Sequence, residues 1–137
     1  MPARVLVLRT AGTNCDLETA RAVELAGGAG ERLHVRTLLD GGRRLDEFGG
    51  LFIPGGFSYG DDLGAGTVLG NQLGTKLGDD LRDFIRRGRP VVGICNGFQV
   101  LTEAGILPSR TPGKRSMALI ENQSARFEDR KVRLVVS

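Results

Sequence analysis

The chain has 137 residues, the length of one domain and too short for two comfortable ones. With 40% hydrophobic and 26% charged residues it has ordinary globular usage, which excludes wholesale disorder. Nineteen basic against sixteen acidic residues leave a net charge of +3, too small an excess to argue for nucleic acid. Its basic clusters, Arg43-Arg44, Arg86 to Arg89 and Lys114-Arg115, read as solvated turns or helix ends. Glycine is the outlier at 21 residues, about twice the usual share. Those glycines follow no Gly-X-Y period, so collagen is excluded and tight turns remain. No apolar run nears the roughly 18 residues that suggest a membrane span, and the opening Met1-Pro2-Ala3-Arg4 lacks a signal-peptide layout. Cys15 and Cys95 form no CxxC, and with His34 as the single histidine no His/Cys metal site is expected. A reduced, cytoplasmic compartment fits that cysteine usage.

Val5-Leu6-Val7-Leu8 is an unbroken apolar run of strand length, suited to a strand covered on both faces. A helix is predicted from Thr13-Asn14-Cys15-Asp16 onward, capped by Thr13 or Asp16, stopped by Gly27-Gly28, with Leu17, Ala20, Val23 and Leu25 inward. Leu33 to Leu38 alternates with period two and reads as a strand nearer an edge. Leu51-Phe52-Ile53 is a third short strand. The spacing Leu73, Leu77, Leu81, Phe84, Ile85 predicts one helix, ended by Gly88 and Pro90. Val91 to Ile94 is a fourth strand, and Asn96 to Ala104 a helix with Phe98 and Leu101 inward and Gly105 as its cap. Met117–Glu121 and Lys131–Val136 read as two later strands. The alternation of strand and helix implies an α/β fold, a mostly parallel sheet flanked by helices in three layers. Ending at Ser137 directly after an apolar strand would leave a pairing edge exposed.

Gly93-Ile94-Cys95-Asn96-Gly97 falls where a strand meets a helix and has the glycine–nucleophile–glycine spacing of a nucleophile elbow. A nucleophile on so sharp a turn needs small neighbours two residues away. The helix that follows aims free amides at the sulfur and favours the thiolate, and the Asn96 amide is placed to meet an oxyanion. The competing reading is a small buried thiol packed at a tight turn. Pro54 to Asp62 is a second glycine-rich loop after a strand. In a doubly wound sheet such loops converge on one crevice, so the Gly56 amide could supply a second oxyanion donor. A plain turn is the alternative, and the phosphate-loop pattern is absent.

VVGICNGFQVL at 91–101 and PGGFSYGDD at 54–62 resemble class I glutamine amidotransferases. GTNCD at 12–16, PGGFSYGDDLGAG at 54–66 and ENQSARFEDRKVRL at 121–134 narrow the resemblance to glutaminase subunits of phosphoribosylformylglycinamidine synthase. It spans Arg4 to Val136 and implies a flavodoxin-like fold. It also implies hydrolysis of L-glutamine through a cysteine thioester, to supply ammonia for purine (IMP) biosynthesis. On that resemblance Cys95 is the nucleophile, the Gly56 and Asn96 amides form the oxyanion hole, and Gln99 contacts the substrate glutamine. Arg126 and Phe127 belong to a strip whose backbone holds the substrate's α-amino and carboxylate groups. Cys15 is read as structural, having no base nearby. The implied partners are a synthetase subunit, which uses ATP and Mg, and a small accessory subunit. No cofactor is implied for this subunit.

One departure carries weight. The family completes its triad with a histidine and a glutamate well downstream of the cysteine, whereas His34 lies upstream on the second strand and none follows Cys95. Residues 1–137 therefore read as a partial amidotransferase domain, the amino-terminal portion of a longer subunit, expected to be inactive by itself. A non-catalytic interaction subunit of the same fold, or another cysteine hydrolase of the superfamily, is the alternative.

Overall fold

The Val5–Leu8 run forms the middle of β1 (Arg4–Arg9) in the computed structural model, which describes residues 1–136. Around it lie β2 (Ala29–His34), β3 (Gly50–Ile53) and β4 (Val91–Gly93), all parallel, in the order β2-β1-β3-β4. This is the first part of the flavodoxin-like strand order. Register runs through Leu6 opposite Leu51 and Leu51 opposite Val91.

Among the described residues five α-helices connect or follow the strands: α1 (Asp16–Leu25), α2 (Val35–Leu39), α3 (Thr67–Thr75), α4 (Gly78–Arg86) and α5 (Asn96–Glu103). Side chains alternate across a strand, and the two faces have different covers. Leu6, Leu8, Leu51 and Ile53 share one buried cluster with Leu69 and Leu73 of α3, Leu81 and Phe84 of α4, and Val100 and Leu101 of α5. Each such side chain contributes about 1.5–3 kcal/mol on burial. Val5 and Phe52 point the other way, beside Thr19, Ala22 and Val23 of α1. The three-layer arrangement follows from that split.

Several elements differ from the sequence reading. Residues 33–38 are not one strand: β2 ends at His34, whose Nδ1 accepts from Arg36 N at 3.1 Å and caps α2. Leu33 and Val35 fit period two, but Val35 and Leu38 fit a helical turn equally, and the cap decides between them. Leu17 and Leu25 are exposed and only Ala20 and Val23 of the expected set are buried, because a short helix covers the sheet with one narrow stripe. Neither Thr13 nor Asp16 caps α1: Cys15 occupies that position without a side-chain bond to the helix amides, and Asp16 pairs with Arg32 at 2.9 Å. The helix expected from Leu73 is two, broken at Leu77 (φ −112°, ψ 12°), with Gly74 and Gly78 beside the break. Phe98 is half-exposed; α5 buries Gly97, Val100 and Leu101 instead. Met117–Glu121 and Lys131–Val136 form no strands and are largely exposed, including Leu119, Ile120 and Leu134. A two-stranded ribbon without a sheet to join is marginal in water. Ser137 lies outside the described residues.

At the β2 side, Glu31 holds two guanidiniums over one aromatic ring. Arg43 and Arg4 both pair with its carboxylate, Arg4 at 2.8 Å, and stand 5.3 and 5.1 Å from the centre of the buried Phe48 ring. The hydrogen bond from Arg43, then that from Arg4, holds the Glu31 carboxyl below the ordinary glutamate range. A depressed folded value stabilises the fold above the unfolded glutamate pKa, about 4.3, and that stabilisation is lost as pH falls through the folded value. Glu31→Gln is expected to cost up to about 1 kcal/mol at pH 7 after solvent screening. The gap to the parent should shrink in thermal melts as the pH is taken below the ordinary glutamate range and through the lower folded value.

Candidate active site

The turn from β4 into α5 is crowded by backbone. A β-carbon on Gly97 would collide with the Ile53 carbonyl, and one on Gly93 with the Gly97 carbonyl, each well under 3.0 Å. The Ile53 carbonyl is also the acceptor for Ile94 N–H at 3.1 Å. With both flanks pinned, Cys95 takes φ 53° and ψ −112°, a conformation non-glycine residues rarely adopt. Strain of this kind costs about 1–3 kcal/mol and clusters at functional sites. It also turns the side chain outward. Cys95 is exposed, which removes the buried-thiol reading.

The sulfur faces a cleft of about 400 Å³ lined by Asn14, Cys15, Thr19, Gly55, Gly56, Phe57, Asp61, Ile94, Cys95 and Gln99. These residues come mainly from the segments just beyond β1, β3 and β4, with Thr19 and Gln99 from the adjoining helices. The cleft thus sits at the carboxyl ends of the strands near the β1/β3 reversal, where open α/β sheets bind ligands. Gly56 faces it at φ 138°, and its loop is anchored by Phe57 N–H to Gly12 O at 2.9 Å and Tyr59 N–H to Ala11 O at 2.7 Å. Among the described residues no protein acceptor takes the amide hydrogens of Gly56 or Asn96.

The Asn96 side chain latches the two loops together. Its Oδ1 accepts from Ser58 N at 3.0 Å, while Nδ2 donates to Asp61 Oδ1 at 3.2 Å and Gln99 Oε1 at 3.0 Å. Asp61 Oδ1 in turn accepts from Gly66 N at 3.2 Å. Asn96 is 3% and Ser58 2% exposed, so these bonds replace water and cannot be lost cheaply. The latch holds a loop containing two left-handed non-glycine residues, Tyr59 and Asp61.

A family model described as the CobB/CobQ-like glutamine amidotransferase domain matches residues 2–137. The chain belongs to that family. Among curated relatives it is 49% identical to phosphoribosylformylglycinamidine synthase subunit PurQ of Dehalococcoides mccartyi over 98% of this chain and 52% of that protein. It is 42% identical to the subunit of the same name from Methanococcus maripaludis, over 96% of this chain and 50% of that one. A solved structure titled "Structure of PurLQS from Thermotoga maritima" aligns with a TM-score of 0.71 and 34% identity, covering 90% of this chain and 50% of that chain. The chain spans about half the length of the curated relatives it matches.

For this amidotransferase chain, the structure brings Cys95, Gly56 and Gln99 to one cleft, with Asn96 directly behind it. It does not bring Arg126 or Phe127 there. Both lie in an exposed turn, where Asn122 Nδ2 donates to Arg126 O at 2.9 Å and Phe127 is 93% exposed. His34 is exposed at the end of β2, and among the described residues no imidazole lines the cleft. The sequence reading missed Asp61 and the Asn96 side chain as structural partners: they are 35 residues apart, and no local pattern links them. Its structural reading of Cys15 meets a residue that borders the cleft. Cys15 is exposed in the cleft wall, its thiol 3.2 Å from Asn14 Oδ1.

Two stability outcomes follow from this geometry. Gly97→Ala should cost about 1–3 kcal/mol, the usual range for overpacking, in denaturant unfolding, with Gly55→Ala as a tolerated control. Asn96→Ala leaves the buried Ser58 amide without an acceptor and should cost about 1–3 kcal/mol in the same measurement.

Proposed function

We propose that this chain carries the nucleophile half of a glutaminase, the glutamine-hydrolysing component of phosphoribosylformylglycinamidine synthase in purine biosynthesis. The observation that carries the reading is the strained, outward-facing Cys95 at the start of α5, above a cleft bordered by two uncommitted backbone amides. In this mechanism the Cys95 sulfur attacks the side-chain carboxamide carbon of L-glutamine. The amide hydrogens of Asn96 and Gly56 meet the negative charge that builds on the carbonyl oxygen. Collapse of the tetrahedral adduct expels ammonia and leaves a glutamyl thioester, which water then hydrolyses. Gln99 contacts the substrate glutamine.

Taking the Cys95 proton and giving one to the departing ammonia is general acid–base work, and no group lining the cleft among the described residues is an imidazole. The triad histidine and glutamate are assigned to the remainder of a protein of the relatives' length. Ammonia passes to a synthetase subunit that uses ATP and Mg, with a small accessory subunit in the assembly. These partners are supported by the names of the relatives and of the solved structure. Among the described residues no helix is long and apolar enough to cross a membrane, and a cytoplasmic enzyme is the reading adopted. The alternative is a docking subunit of the same fold without chemistry.

The natural full-length protein, docked on its synthetase, should release ammonia from glutamine, and Cys95→Ser should reduce the rate at least about a thousandfold. The 137-residue chain alone should release little or none. Ammonia release that survives Cys95→Ser overturns the nucleophile assignment, and a silent full-length complex favours the docking subunit.

A further inference from the structure

The cleft holds a second thiol that the proposed chemistry does not use. A methyl group placed on Gly55 would sit 3.5 Å from Cys95 Cβ and 3.6 Å from Cys15 Sγ. Cys95 Cβ and Cys15 Sγ therefore both border the space that a Gly55 side chain would take, no further apart than the sum of those contacts. Both are exposed to solvent and both line the cleft wall. The Cys15 thiol makes a weak hydrogen bond to Asn14 Oδ1, which swinging the sulfur away would give up at little cost. The two arrive by separate routes: Cys15 ends the segment after β1, with its N–H on Gly55 O at 3.3 Å, and Cys95 ends the segment after β4.

We propose that Cys15 and Cys95 are a modification site, an intramolecular thiol pair that closes to a disulfide when the protein meets a peroxide. The Cys95 thiolate attacks one peroxide oxygen; the O–O bond breaks, hydroxide leaves, and Cys95 becomes a sulfenic acid. The Cys15 sulfur then attacks the Cys95 sulfur. The S–S bond forms as the S–O bond breaks, and the departing hydroxide takes the Cys15 proton as water. Two thiols lose two electrons and the peroxide is reduced to two waters. The bridge removes the Cys95 sulfur from the cleft without destroying it, and a dithiol reductant returns it. Without Cys15, the sulfenic acid would be open to irreversible further oxidation. This pairing does not depend on glutamine being the substrate.

The test is peptide mapping by mass spectrometry. Protein at its natural length is reduced, treated with hydrogen peroxide, alkylated and digested. The expected product is one peptide pair joining Cys15 to Cys95, two hydrogens lighter than the free thiols and reopened by dithiothreitol. Cys15→Ser should instead carry Cys95 on to the sulfinic acid. Gly55 is not left-handed and its added methyl meets ordinary contacts, so Gly55→Ala should fold, as circular dichroism would verify. It should slow bridging at least about tenfold, because a disulfide needs β-carbons about 3.5–4.5 Å apart. Bridging at the parent rate in Gly55→Ala overturns the proposal, as does Cys95 oxidised only to sulfinic acid or paired only between molecules in the parent. Should Gly55→Ala fail to fold, the parent and Cys15→Ser maps decide alone.

Discussion

Backbone contact between Gly97 and the Ile53 carbonyl is the constraint on which the rest of the site depends. It lets α5 start directly against the end of β3, with no side chain holding them apart. Once α5 is that close, the chain leaving β4 has too little room for an ordinary turn, and the residue between the two glycines takes a positive φ. An exposed thiol is the geometric result. Exposure is thus a consequence of close packing underneath, not of a loose loop.

The Asn96 latch extends that constraint sideways. Stacking α5 on β3 positions Cys95, but the cleft has a second wall only if the 54–66 loop is held beside it. One buried amide does this by accepting from Ser58 and donating to Asp61 and Gln99. A hydrocarbon side chain of the same size would leave the Ser58 amide without a partner in the interior. The free amides of Gly56 and Asn96 then border the same space because both loops are fixed relative to one another. The same closeness sets both Cys15 and Cys95 beside Gly55, so the packing that assembles the cleft also places two thiols in its wall.

Much of the frame could be read along the chain. Continuous apolar runs matched β1, β3 and β4, and the i, i+4 spacing from Leu73 marked α4 and only the end of α3, without the break between them. Legibility failed where two periods shared the same residues. Leu33 to Leu38 satisfied a strand pattern, and a single histidine cap turned its second half into α2. It failed again at Leu17, Leu25 and Phe98, since apolar character does not say which stripe of a short helix meets the sheet. The segments 117–121 and 131–136 had strand composition without a ladder to join, and composition alone cannot supply one.

What the sequence alone determined is local: the glycine spacing around Cys95, the turn chemistry of Pro54 to Asp62, and the alternation that makes a parallel α/β sheet. Each depends on interactions within a few residues, so each leaves a mark in a short window of sequence. Tertiary structure decided what shares the cleft. Cys15, the loop carrying Gly56 and Asp61, and Cys95 are far apart in the chain and meet because β1, β3 and β4 end side by side. Neighbourhood across a sheet follows strand order and register, which no single segment encodes.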